Sequence, residues 1–243
     1  NVCERIALYT AEMAKKLLAI LLMVSFFALP TITIANAANT VTVFAASSLT
    51  DSFTQLGEKF ERAHPGVKIR FSFQASSTLL NQINAGAPAD LFVSAEPFPN
   101  GQDYLINRLV LAVPKNSKIE KISDLNGNFI WIQCAREVPC GQAADAALIG
   151  EGVKSRPSSL EPKVTSVVSK LLAGEVDAAI IYRTDVLANS KKLKSIEFNN
   201  KKAASTTYQI AQLRKGAWAA TFNDFLRSRG ALKFLRSKGY EVK

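Results

Sequence analysis

From Val41 onward the chain alternates short runs of β-branched and aromatic residues with stretches whose apolar residues recur every three or four positions. That alternation predicts an α/β protein in which a mainly parallel sheet is built through helical crossovers. VTVFAA (41–46) reads as the first strand. Leu49, Phe53, Leu56 and Phe60 follow at helical spacing and share one face, which His64-Pro65-Gly66 ends. VKIRFSF is a second strand, STLLNQINAG a short helix and DLFVSAE a third strand. After the turn-forming run Pro97-Phe98-Pro99-Asn100-Gly101, LVLAVP (109–114) opens a further set of elements. NFIWIQC and VDAAIIY read as strands, and GQAADAALIGEG and TSVVSKLLAGE as helices. TTYQIAQL is a last strand, and WAATFNDFLRSRGALKFLRSKGY supplies one or two helices. With no internal repeat, low-complexity block or long linker, the pattern favours two intimately connected lobes. Sheets of this kind bind ligands at the carboxyl ends of their strands.

Ahead of Val41 the pattern is different. Lys15 and Lys16 precede the apolar run LLAILLMVSFFALP, and Ala35-Asn36-Ala37 closes it, which is the arrangement of a secretory signal peptide. The run is broken by Pro30 and is short for a membrane span of about 20 residues. Residues 1–12 fit no export pattern, so 1–37 is read as a leader with the signal peptide at 13–37, cleaved to leave a mature chain that begins near Ala38. No Cys follows the apolar run to carry a lipid anchor.

Composition narrows the classes without choosing among them. At 48% hydrophobic and 21% charged over 243 residues the chain is an ordinary globular protein, which disfavours disorder and coiled coil. Its net charge of +10 drops by one with residues 1–37, because Arg5, Lys15 and Lys16 leave together with Glu4 and Glu12. Such an excess points to nucleic acid, a membrane surface or small anions. An export signal argues against nucleic acid, and the lysines of SKIEK, SKKLKS and NNKK read as solvated surface.

Two strand-to-helix junctions, Ala45-Ala46-Ser47-Ser48-Leu49-Thr50 and Gln74-Ala75-Ser76-Ser77-Thr78-Leu79, place small hydroxyl residues where the backbone turns. A helix start exposes unpaired N–H groups and the positive end of the helix dipole, which together attract an anion. The alternative is that the serines merely cap their helices, Ser48 forming a capping box with Asp51. Cys134 and Cys140, six apart in a compartment that permits oxidation, are either a disulfide or two reduced buried thiols. A metal site is disfavoured, because the sole histidine, His64, sits beside Pro65 and no Cys/His ligand set can be assembled. The same isolation of His64, and the absence of a G-x-S-x-G elbow, argue against an enzyme.

TVTVFAASSLTDSF, HPGVKIRFSFQASSTLLNQINAGAPADLFVSAE, NRLVLAVPKNS, EVPCG and VDAAIIYRTDV together resemble the periplasmic molybdate-binding proteins of molybdate/tungstate ABC transporters. The resemblance runs from about Thr40 to Tyr240. It implies a type II periplasmic-binding-protein fold, an α/β architecture of two lobes, 38–108 with 200–243 and 109–199, with the ligand cleft between them. It implies that Ser48 and Ser76 hold molybdate through hydroxyl and backbone N–H, that Cys140 and Val164 each offer a backbone N–H, and that Tyr182 offers its hydroxyl. Lys163 stands where the family often has an acidic or amide residue. Between VSAE and NRLVLAVP the family carries an additional helix and loop, whereas only PFPNGQDYLI remains here. Either a tighter crossover compensates or one lobe lacks a surface helix.

The function implied is that of a periplasmic, monomeric solute-binding protein that captures molybdate or tungstate, without cofactor or catalysis, and delivers it to the membrane permease of an ABC importer. Molybdenum enters only as the bound oxyanion. Fixed neutral donors define a cage of set size, where a charged side chain discriminates poorly among oxyanions. Burying the anion is costly unless every oxygen is hydrogen-bonded, so the lobes must close around it by hinge motion. The alternatives are a protein of the same fold for sulfate or another small anion, and the effector lobe of a transcription regulator, which would need a DNA-binding motif.

Overall fold

The computed structural model describes residues 39–243. The leader and signal-peptide readings at 1–37 lie outside the described residues. Strand β1 (Thr40–Ala46) pairs in parallel with β2 (Lys68–Gln74) on one side and β3 (Leu91–Ser94) on the other. Lying between two strands and under helices, β1 buries both its faces, which is why its last four residues run Phe-Ala-Ala-preceded-by-Val without a polar position. Helix α1 (Thr50–Ala63) covers this wing. Its predicted apolar stripe is the buried face: Phe53, Leu56 and Phe60 are fully enclosed, as is Leu49 just before it, and Phe60 packs edge-on against Phe222 at 4.9 Å. Helix α2 (Ser76–Asn84) links β2 to β3.

The connection after β3 is short and pinned. Asn100 takes a positive φ of 63°, and a Cβ on Gly101 would lie 2.9 Å from the Phe98 ring and 3.0 Å from Gln209 Cβ, so the turn is closely packed there. No helix lies between the turn and β4 (Gln102–Pro114), which instead starts seven residues before the LVLAVP run. The tighter crossover and the missing surface helix are therefore one feature: the segment is absorbed into a long strand.

That strand changes partners midway. Up to Arg108 it runs antiparallel to β9 (Ser205–Gln212), Arg108 facing Ser205; from Leu109 it runs antiparallel to β7 (Ala178–Tyr182), Leu109 facing Tyr182. Beyond β7 lie β5 (Trp131–Cys134) and β6 (Ser159–Glu161), again parallel, so the sheet order is β2-β1-β3-β9-β4-β7-β5-β6. β8 (Leu193–Glu197) and β10 (Glu241–Val242) add to β4. Parallel wings thus flank an antiparallel centre.

Helices α3 (Pro139–Leu148), α4 (Val164–Ala173) and α5 (Arg183–Ala188) follow β5, β6 and β7 respectively. Helices α6 (Ala217–Leu226) and α7 (Arg229–Ser237) pack on the first wing. Among the described residues three hydrophobic clusters result: one gathers β1, β3, the start of β4, β9, α1, α6 and α7, a second gathers Leu109–Val113 of β4 with β5, β7, α3 and α4, and a small third joins Phe44 of β1 and Phe92 of β3 to Leu79 of α2 and Ala89.

Candidate functional site

At the end of β1 the chain enters a single 3-10 turn, Ser47–Leu49, before α1. Ser48 is buried and does not cap α1, which has no side-chain cap. Its Oγ lies 2.7 Å from the Tyr208 hydroxyl instead. Ser76 is the first residue of α2, whose N-cap is Ala75, and its Oγ accepts the Ala95 N–H at 2.8 Å. The capping reading of both serines is therefore replaced: each hydroxyl is engaged by another part of the sheet rather than by its own helix.

On the other wing, Cys140 is the second residue of α3 and is joined to Cys134, the last residue of β5, by a disulfide. Gly141 follows, where a Cβ would sit 1.9 Å from the Ala135 carbonyl oxygen, so the start of α3 presses directly on the preceding loop. Val164 opens α4, which also has no side-chain cap. Tyr182 ends β7; its N–H donates to Asp185 Oδ2 at 3.2 Å and its hydroxyl donates to Thr206 Oγ1 at 3.1 Å.

Ser48, Ser76, Cys140, Val164 and Tyr182 come from five separate junctions, and the structure brings all five onto one cavity of about 20 Å³. The first turns of α2, α3 and α4 border it together with the 3-10 turn, so their unpaired N–H groups and dipole ends face a common space. Among the described residues lining it none is acidic, and Lys163 is the one side chain charged at neutral pH. Burial pushes the Tyr182 hydroxyl up to about 12 and the Tyr208 hydroxyl well above its ordinary range, so both stay protonated donors at neutral pH. At about 20 Å³ the cavity has room for about one water molecule, and a tetrahedral anion fits only once its walls move apart.

Two larger clefts are less suited to an anion. One of about 650 Å³ shares Ser47 and Ser48 with the cavity but is lined by Asp51 and Asp185. The Asp185 carboxyl is pushed up to about 7, by its burial above all, with the charge of Asp51 adding to the effect. The other, about 530 Å³, is lined by Glu96 and Asp103. Both are lined by carboxyl groups, with Lys238 beside them in the first. His64 lines none of these spaces; its ring stacks on Phe60 at 4.1 Å and Nδ1 lies 3.0 Å from the Phe60 carbonyl. Among the described residues no serine is hydrogen-bonded to an imidazole.

The sequence reading missed the residues behind the cavity. Tyr208 and Thr206 on β9 contact the Ser48 and Tyr182 hydroxyls from outside. The one trace in the sequence is a bulky polar-tipped residue on the apolar side of the strand pattern TTYQIAQL.

Residues 41–241 match the family described as bacterial extracellular solute-binding protein. A Mycobacterium tuberculosis protein named molybdate-binding protein ModA is 31% identical over 204 residues, 78% of each chain. A Haemophilus influenzae protein of the same name is 29% identical over 233 residues, 84% of this chain and 90% of that one. The solved Azotobacter vinelandii periplasmic molybdate-binding protein superposes with a TM-score of 0.71 at 18% identity, covering 84% of this chain and 99% of that one.

Proposed function

Because the chain belongs to the bacterial extracellular solute-binding proteins, among their molybdate-binding members, we propose that its cavity captures molybdate and that the loaded protein delivers it to an ABC importer. The observation that carries this reading is the convergence of Ser48, Ser76, Cys140, Val164 and Tyr182 on one small cavity without an acidic side chain. In the proposed complex the two serines donate hydroxyl and N–H, Cys140 and Val164 donate backbone N–H, and Tyr182 turns its hydroxyl from Thr206 to the anion. A tetrahedral dianion has only acceptors, so each of these donors gains a charge-assisted hydrogen bond. Removing it from water is tolerable only when all its oxygens are satisfied.

The donors come from both sides of the point where β4 changes partners. We assign residues 38–108 with 200–243 to one lobe and 109–199 to the other, with β4 passing between them at Arg108 and Leu109. Anion binding then draws the lobes together, and the closed form is what the permease recognises. Tungstate, with the same charge and shape, is bound as well. The protein acts extracytoplasmically as a monomer, with no cofactor and no reaction on the anion.

Calorimetric titration of the purified protein with molybdate, tungstate and sulfate tests this. Molybdate and tungstate bind tightly and one-to-one, and sulfate binds far more weakly. Equal response to all three, or none to molybdate, overturns the reading.

A further inference from the structure

An anion enters or leaves the cavity only when the walls part, so the contacts that hold the walls together govern how long it stays. One hydrogen bond between residues 38–108 with 200–243 and residues 109–199 lies inside, from the Tyr182 hydroxyl to Thr206 Oγ1 at 3.1 Å. In the proposed complex that hydroxyl turns to the anion, so this bond is given up on binding. Another lies outside the cavity lining, exposed to solvent: the Ser77 hydroxyl donates to the Glu137 carbonyl at 3.1 Å. Neither group belongs to the proposed ligand set, so this bond is not spent on the anion. Both of its ends are firmly held. Ser77 follows Ser76 in the first turn of α2, and Ala75 just before them is buried in the hydrophobic cluster of β5, β7, α3 and α4 rather than in that of its own wing. Glu137 lies within the ring closed by the Cys134–Cys140 disulfide. In that loop the Ala135 N–H donates to the Glu161 carbonyl at 2.8 Å, the Val138 N–H donates to the Ala135 carbonyl at 3.2 Å, and Arg136 Nε pairs with Asp145 Oδ2 at 2.8 Å. The Glu137 carbonyl is therefore a fixed acceptor close in the chain to Cys140.

We propose that Ser77 is a positioning residue that retains the anion: its hydrogen bond to the Glu137 carbonyl ties the Ser76 side of the cavity to the Cys140 side and has to break before the bound anion can leave. The bond acts through its neighbours in the chain and makes no contact with the anion itself. Ser77 fixes where Ser76 stands, Glu137 fixes where Cys140 stands, and the contact between them closes the gap across which these two donors face the cavity. Among the described residues the Ser77 hydroxyl has no other partner, so its loss removes this tie and leaves the packing of α2 in place. The inference rests on the molybdate reading and on the division into halves given above, and it adds a residue outside the ligand set that governs release.

The release rate tests it. The full chain, loaded with radioactive molybdate, is chased with excess unlabelled molybdate and sampled by rapid filtration, in the wild type, Ser77→Ala, Ser77→Thr, Ser77→Val and Thr78→Ala. Ser77→Ala should release the anion about 3- to 10-fold faster, the effect of one hydrogen bond on the barrier to opening. Ser77→Thr keeps the hydroxyl and should release within about twofold of wild type, whereas Ser77→Val, equal in shape and without the hydroxyl, should match Ser77→Ala. Thr78→Ala removes an exposed hydroxyl from the same turn and should leave release unchanged. A merely structural serine would alter the folded fraction, read as the binding stoichiometry, and not the release rate. An unchanged rate in Ser77→Ala, equal rates in the threonine and valine variants, or the same acceleration in Thr78→Ala overturns the proposal. If Ser77→Ala does not fold, the threonine and valine pair must still differ, and equal rates overturn it. A wild type that does not bind molybdate refutes the functional reading instead, a separate result.

Discussion

Ser76 serves two groups at once: its oxygen accepts the Ala95 N–H at 2.8 Å, and its hydrogen is left for the cavity. Ser76→Ala should therefore show two effects. Molybdate affinity falls by about 1–3 kcal/mol, because a buried anion loses a donor, and the unliganded protein loses a similar ~1–3 kcal/mol, because the Ala95 N–H is left buried and unpaired. Calorimetry reads the first and denaturant unfolding the second; an affinity unchanged from wild type contradicts the assignment. Asp185 makes a different case. Its carboxyl is pushed up to about 7 by burial first and by Asp51 next, whereas an unfolded chain holds it at about 4. The folded state keeps a proton that the unfolded state releases between those values, so the stability Asp185 contributes is full below about 4 and is lost as pH rises through about 7. Asp185→Asn, whose amide oxygen can still accept the Tyr182 N–H, should flatten the thermal stability profile across that window and raise the midpoint above pH 7. An unaltered profile refutes this. Of these residue-scale features, the serines were legible because hydroxyl residues at two strand-to-helix junctions are a local pattern. Tyr208 was not, because its partner Ser48 lies 160 positions away in the chain.

At the scale of elements, legibility followed burial. β1, α1, β7 and α4 appear within a residue or two of the predicted ranges because each buries a continuous or helically spaced apolar set. β6, β8 and β10 escaped: they are short, LKSIE and EV keep polar residues exposed, and SLE exposes its leucine while burying Glu161, so they take their strand form from a neighbour rather than from an apolar run. The extension of β4 back to Gln102 escaped for a related reason. QDYLIN pairs with β9 and buries Tyr104 and Leu105, while its first two residues stay exposed beside the turn. The start of α3 illustrates how elements build the site. Val138-Pro139-Cys140-Gly141 brings a proline to the first helical turn, a disulfide to β5 and a glycine where nothing larger fits under the Ala135 carbonyl. These constraints hold the first-turn N–H groups of α3 at the cavity without any charged side chain. Of the five proposed ligand positions, Cys140, Val164 and Tyr182 were legible only through resemblance, since periodicity alone cannot say that Cys140 and Val164 begin helices bordering the same space.

For the whole molecule, the arrangement separates attraction from recognition. The chain carries a net charge of +10, which draws anions toward it over distances of about a Debye length and gives no choice among them. We assign choice to the small cavity, which no acidic side chain lines, while the two larger clefts are lined by carboxyl groups. β4 is the one strand shared by both wings of the sheet, pairing β9 on one side of Arg108 and β7 beyond it, and so is the natural place for the halves to move relative to each other. The central claim is that uncharged donors from both halves enclose the anion in that cavity. A crystal structure of the protein with molybdate, phased on the anomalous signal of molybdenum, tests this most directly. The account predicts one molybdenum peak enclosed by Ser48, Ser76, Cys140, Val164 and Tyr182, with its oxygens about 2.7–3.1 Å from their N–H and O–H groups. A peak in either acidic cleft, or an anion held by the ammonium of Lys163 in place of those donors, would contradict it.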